Sequence, residues 1–189
     1  MRNTVILMLF SLFILTACNK KQKEEPVVAE VPDSVYLNQG DQLIAITFDT
    51  LRNSLTAAIG SGGFAHAIQF CNEKAYPLTN TYAEEGISIR RSSPKFRNPS
   101  NQPDSLEQVV FNEFLINGPK PRLIRTSQEV HYIKPIIMQG MCLNCHGKPG
   151  ENIQPETIQA IATLYPDDRA TGYTDGELRG IWHIAFKIK

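Results

Sequence analysis

Apolar and polar positions alternate in a way that divides the chain into a leader, a tether and a folded region. Near the N-terminus a largely apolar run extends from Val5 to Leu15, with Arg2 ahead of it and small residues behind. It is short for a membrane span and lies where a secretory leader would. The next stretch, NKKQKEEPVVAEVPD, has no apolar stripe and carries Pro26 and Pro32. It reads as a flexible tether. The boundaries that follow are residues 1–17 for the leader, 18–33 for the tether and 34–189 for the domain.

Within the domain, Ile44, Phe48, Leu51, Leu55, Ala58 and Ile59 recur at i, i+3/i+4 spacing and predict a helix over about 36–59, stopped by GSGG. A second helix is predicted over about 64–83, with Ala67, Phe70, Cys71 and Lys74 on one stripe and a bend or restart at Pro77. Gly86 turns the chain into a strand, and SSPKFRNPSNQPD reads as a loop. PDSLEQVVFNEFLING predicts a helix capped by Asp104 or Ser105, with Leu106, Val109, Val110, Phe114 and Leu115 buried and Gly118 as its stop. RLIRTSQEVHYIKPIIM predicts two strands around a turn at 127–129. QPETIQAIATLYP predicts a short helix ending before Pro166. The chain closes as a hairpin, with a turn at 174–176 and a strand over 178–188. On that strand Ile181, His183, Ala185 and Lys187 share one face, and Trp182, Ile184, Phe186 and Ile188 the other. Helices followed by a small antiparallel sheet, with the helices on one side, give an α+β fold.

The 189 residues are enough for one domain with a real core. The formal charge is +0, so no basic field points to nucleic acid. Four cysteines are few for a disulfide scaffold. One of them, Cys18, ends the sequence LTAC, which resembles a bacterial lipobox. That resemblance implies an exported lipoprotein with lipid on Cys18, held at a membrane face in the cell envelope, on the periplasmic side, without spanning.

The segment MCLNCHGKPG carries the clearest chemistry. Two thiols separated by two residues suit the two vinyl groups of a porphyrin, and a histidine directly after can reach the iron. Cys142, Cys145 and His146 have this pattern, and Gly147 would ease the turn past the ring. A chance match is on the order of one in a thousand, taking each residue type at about two per cent. A zinc site would need a second ligand pair, and Cys71, His66, His131 and His183 do not supply one by spacing. A redox disulfide would open a helix in a βαβ context, which the pattern lacks. The sixth position on an iron has several candidates by residue type: Met138, Met141, His66, His131, His183 and Cys71. A lone cysteine on a helix face is also the usual form of a small buried hydrophobe.

The ordered segments FAHAIQFCNEKA, ISIRRSSPKFRNPSNQPDSLE, YIKPIIMQGMCLNCHGKP and ATGYTDGELRGIWHIAF resemble a bacterial family of small c-type haem domains with a PAS-like fold, long catalogued as a domain of unknown function. The resemblance spans nearly all of the chain after about residue 36. It implies one covalent haem c on Cys142 and Cys145, with His146 as one axial ligand and Cys71, in CNEKA, as the other. It also offers Arg90, Arg91 and Arg97 as contacts for the haem propionates.

A thiolate ligand favours ferric iron and a low potential, and two filled axial positions leave none for oxygen chemistry. The expected function is therefore one-electron transfer by a tethered monohaem cytochrome, not an enzyme and without a small-molecule substrate. The alternative is a redox or diatomic-gas sensor. Either needs a partner protein, for redox or for signalling.

Overall fold

The computed structural model describes residues 30–188. Cys18 and the leader lie outside the described residues. Among the described residues no helix is long and apolar enough to cross a membrane.

Helix α1 runs over Asp33–Asn80. The two helices expected over 36–59 and 64–83 are both present, as two arms of this element separated by a kink. The backbone leaves helical geometry at Gly62 and Gly63, where Gly63 has φ of 75°. That φ suits a residue without a Cβ. The glycines end the first arm, as expected of GSGG, and the second arm restarts directly after them in a new direction. Pro77 leaves it helical, three residues from its end. The first arm lays Tyr36, Leu43, Ile44 and Leu51 on the sheet. Gly40 faces Tyr132, whose ring a Cβ there would overlap. Phe48, expected inside, is exposed, and Thr47 is buried in its place, its hydroxyl donating to Leu43 O at 2.7 Å. The second arm packs Ile68 against Ile153, Ile161 and Tyr165.

Strand β1 (Ile87–Ser92) follows a turn at Gly86 with φ of 80°. Helix α2 (Ser105–Asn117) starts with a full capping box. The Asp104 carboxylate accepts from Glu107 N at 2.8 Å, and Asp104 N donates to Glu107 Oε2 at 3.0 Å. Its buried stripe is Glu107, Val110, Phe111 and Phe114, whereas Val109 and Leu115 are exposed. Leu106, Val110 and Phe114 face inward as expected, and a charged residue, Glu107, takes a core position in place of Val109 and Leu115.

Strands β2 (Arg122–Arg125) and β3 (Glu129–Ile137) form a hairpin. A helical turn, α3 (Leu143–His146), and helix α4 (Pro155–Leu164) precede strand β4 (Leu178–Lys187). The sheet order is β1-β4-β3-β2, antiparallel throughout. The last strand is therefore central, paired with β1 and β3, and not simply the second half of a terminal hairpin. Its two faces separate as the alternation requires. Trp182, Ile184 and Phe186 meet α1, while Ile181 meets Val110, Phe111 and Phe114 of α2. Helices cover both faces of the sheet, in contrast to the one-sided arrangement expected. A central strand buried from Gly180 to Phe186 needs cover on both sides.

Candidate functional site

The break in α1 turns its second arm toward the segment that holds Cys142, Cys145 and His146. Between them lies a cavity of about 1010 Å³ of empty space, part of it open to solvent. Cys71, Cys142, Cys145 and His146 all line it, as do Arg91 and Arg97. A second cavity of about 670 Å³ shares Arg91, Cys142, His146 and Arg179 with the first.

His146 is held in one tautomer. Its Nδ1 lies 2.7 Å from Ala170 O, a group that only accepts, so Nδ1 carries the proton and Nε2 keeps its lone pair. Burial, then the charges of Arg179 and Arg97, keep its pKa well below the ordinary value. The ring is a neutral base ready to ligate. Its backbone is pinned as well, since Tyr173 N donates to His146 O at 3.0 Å. Gly147 is required for close approach and not for a special backbone angle. A Cβ there would stand 2.6 Å from Asn152 Oδ1 and 2.7 Å from Leu143 O.

The three described cysteines are free thiols. Burial pushes the Cys71 thiol up, against the lowering charges of Arg91 and Arg97. Burial also pushes Cys145 up to about 11. Among the candidates for a sixth iron position, Cys71 and Met141 line the larger cavity; His66, His131 and His183 do not. Met138 lines the smaller one, beside His146. Met141 belongs to the turn that directly precedes Cys142, whereas Cys71 comes from the separate wall formed by α1.

The arginines divide. Arg97 is buried and engaged: its Nε donates to Asp168 Oδ1 at 2.9 Å and its Nη2 to Cys145 O at 2.6 Å. It clamps the cysteine segment to the loop after α4. Arg91 reaches the cavity with its Nε buried and unpartnered. Burial lowers its pKa to about 10. Its Nη2 makes one long contact, 3.4 Å, to Ala75 O, and its guanidinium stands 5.5 Å from the Trp182 ring centroid. Ser92 Oγ, in the adjoining cavity, is also buried without a partner. Arg90 points elsewhere, toward Glu107 on α2. Arg179, not singled out by sequence, lines both cavities and donates from Nη1 to Lys95 O at 3.0 Å. It sits where β4 passes a register shift opposite Ile136 and Ile137, so simple alternation could not place it.

This donor set matches the needs of a c-type haem. Two thiols stand in CxxCH spacing, a neutral imidazole keeps a free Nε2, and a further thiol comes from another wall. A buried cation with unmet hydrogen bonding suits a carboxylate.

No curated protein matches the chain. The crystal structure of the cyanobacterial heme-protein Tll0287 matches it with a TM-score of 0.59 at 21% identity, covering 84% of this chain and 98% of that one. The likeness shows a shared fold. A family described as Tll0287-like matches residues 18–186, and the chain belongs to that family.

Proposed function

We propose that this protein is an exported, lipid-anchored monohaem c-type cytochrome of PAS-like fold that transfers single electrons at low potential. Cys142 and Cys145 would hold the haem by thioether bonds, and His146 Nε2 and the Cys71 sulfur would hold its iron. When bound, it supplies a one-electron ferric/ferrous couple. The observation that carries this reading is the meeting of Cys71, from α1, with Cys142, Cys145 and His146 around one cavity. The relative Tll0287 is itself a heme-protein, which supports the same cofactor here.

The chain's own residues have distinct parts. Ala170 O fixes the His146 tautomer, and Arg97 holds Cys145 through its carbonyl. Arg91, with Arg179 beside the same cavities, provides the cationic side for the propionates. Arg90 is left out of that role, because its guanidinium belongs to the Glu107 side of the sheet. Lipid on Cys18 would hold the domain on the periplasmic side of the envelope, where a redox partner protein exchanges electrons with it. Two protein ligands leave no position for substrate, so we assign no catalytic activity.

A second reading has one observation in its favour. Cys71 stands on α1, apart from the segment that would carry the haem, so its sulfur would leave the iron without breaking the attachment. Loss of that bond would make the protein a redox or diatomic-gas sensor acting through a partner.

Spectra of the matured protein, oxidised, reduced and reduced under carbon monoxide, separate these readings. A carrier stays six-coordinate and low-spin under carbon monoxide. A sensor converts rapidly to the carbonyl form. Cys71→Ser should raise the potential and speed carbonyl formation in either case. An unchanged potential and spectrum in Cys71→Ser would remove Cys71 as a ligand.

A further inference from the structure

On the opposite face of the sheet from the first arm of α1, two histidines face each other. His131 on β3 and His183 on β4 are 8% and 6% exposed, and His131 Nδ1 lies 3.0 Å from His183 Nε2. Each ring also has a carboxylate at its other nitrogen. His183 Nδ1 is 2.8 Å from Glu107 Oε1, and His131 Nε2 is 3.8 Å from Glu129 Oε2. The haem reading uses none of these groups.

Buried imidazoles that ligate a metal commonly carry a carboxylate on the outer nitrogen, which fixes the tautomer and the ring orientation. Here His183 has that hydrogen bond to Glu107, Glu129 stands 3.8 Å from the outer nitrogen of His131, and the two inner nitrogens face each other. The geometry points to a divalent transition-metal site between His131 Nδ1 and His183 Nε2, with Glu107 and Glu129 as the outer-nitrogen partners and water completing the coordination.

Metal–imidazole bonds of about 2.0–2.1 Å in a tetrahedral site separate two nitrogens by about 3.3 Å. Admitting the ion takes an opening of the 3.0 Å contact by a few tenths of an ångström and a turn of each ring that brings both lone pairs onto the ion. Protons balance without loss. Glu107 already accepts the His183 proton at Nδ1. The one proton in the inner hydrogen bond relocates to His131 Nε2, facing Glu129. Both inner lone pairs are then free for the metal.

The surrounding charge favours a cation. Asp104, Glu107 and Glu129 stand near the pair, with Arg90 Nε 3.4 Å from Glu107 Oε1 and Lys187 exposed opposite Glu129 in the β3–β4 register. Asp104, Glu107 and His183 also have atoms within 4.8 Å of one another. Arg90 and the α2 capping box already engage those two carboxylates, so they support the site from outside rather than ligate. A groove lined by Ser88, Asp104, Glu129 and both histidines gives the ion a route in. Imidazole donors with water select the zinc, copper and nickel class over magnesium or calcium.

The test is equilibrium dialysis of the full matured chain against Zn²⁺ at neutral pH, with zinc and iron measured per chain. One zinc per chain is expected in the wild type and in His66→Ala, and none in His131→Ala or His183→Ala. Glu129→Gln, at the partly exposed end, should weaken binding about tenfold with the fold intact by circular dichroism. This variant decides the matter if a histidine variant fails to fold. Copper(II) bound at the site should show two nitrogen donors by electron paramagnetic resonance. No uptake up to about 100 µM zinc, or equal uptake in wild type and Glu129→Gln, would overturn the assignment and leave the pair as a hydrogen bond alone. Because iron is measured separately, failure here is distinguishable from failure of the haem reading.

Discussion

Arg91 and Arg97 lie six positions apart and reach the same cavity, yet their hydrogen-bonding states differ. Arg97 has a buried carboxylate and a carbonyl; Arg91 keeps a buried Nε without a partner. The type of residue was readable from RRSSPKFRNPSN, but the division of labour was not. Arg97's partner Asp168 is 71 residues away, and nothing in local spacing links them. The Arg97–Asp168 pair is buried on both sides, so removing one member strands the other charge. Asp168→Ala should cost about 3 kcal/mol in urea unfolding. It should also loosen the segment at Cys145, seen as slower or incomplete haem attachment. Unchanged stability would show that Arg97 is solvated after all. His146 was readable from CxxCH, whereas its tautomer was not, because Ala170 O becomes its partner only through the loop that follows α4.

At the level of elements, α1 shows what periodicity can and cannot resolve. The positions of both arms were legible from apolar spacing, and the two glycines were legible as an interruption. The direction in which the second arm leaves that interruption was not legible, because it is set by what the arm packs against, namely Ile153, Ile161 and Tyr165. Helix α2 was legible in extent, in cap and in the inward places of Leu106, Val110 and Phe114, but not in the burial of Glu107, since hydrophobicity does not rank Glu107 as a core residue. The docking of α1 on β3 carries its own electrostatic signature. Asp41 accepts from Tyr132 Oη at 2.7 Å and pairs with Lys134 Nζ at 2.6 Å. Partial burial would raise the Asp41 pKa, but the Lys134 and Tyr132 hydrogen bonds and the Lys134 charge outweigh it and hold it below its usual value. A carboxylate with a lowered folded-state pKa stabilises above the unfolded-state value, near 3.8, and loses that contribution as pH falls through the folded value. Asp41→Asn should therefore lower stability at pH 7, by about 0.5 kcal/mol or less given its exposure, and the difference should vanish once the pH falls below the folded-state value. A gap that persists at low pH would mean the loss is packing against Tyr132 and not charge.

At the scale of the molecule, a four-stranded sheet with helices on both faces carries two separate polar centres. The α+β class and the alternation of β4 were legible, because Ile181 through Phe186 already sort into two faces. The two-sided cover and the central place of β4 were not, since strand order is set by contacts distant in the chain. The residues proposed to hold the haem share this property: Cys71 and His146 come together only once the second arm of α1 and the turn of α3 face each other across one cavity. Membership of the Tll0287-like family agrees with that assembly, and the heme-protein Tll0287 shares the fold. The central claim, a haem attached through Cys142 and Cys145, is tested most directly by mass. The chain is co-expressed with a c-type maturation system in an export host, denatured and weighed. The account predicts the mass of the processed chain plus one haem, retained after denaturation and lost in Cys142→Ala/Cys145→Ala. A denatured chain at its bare mass, from protein that folds, would contradict it.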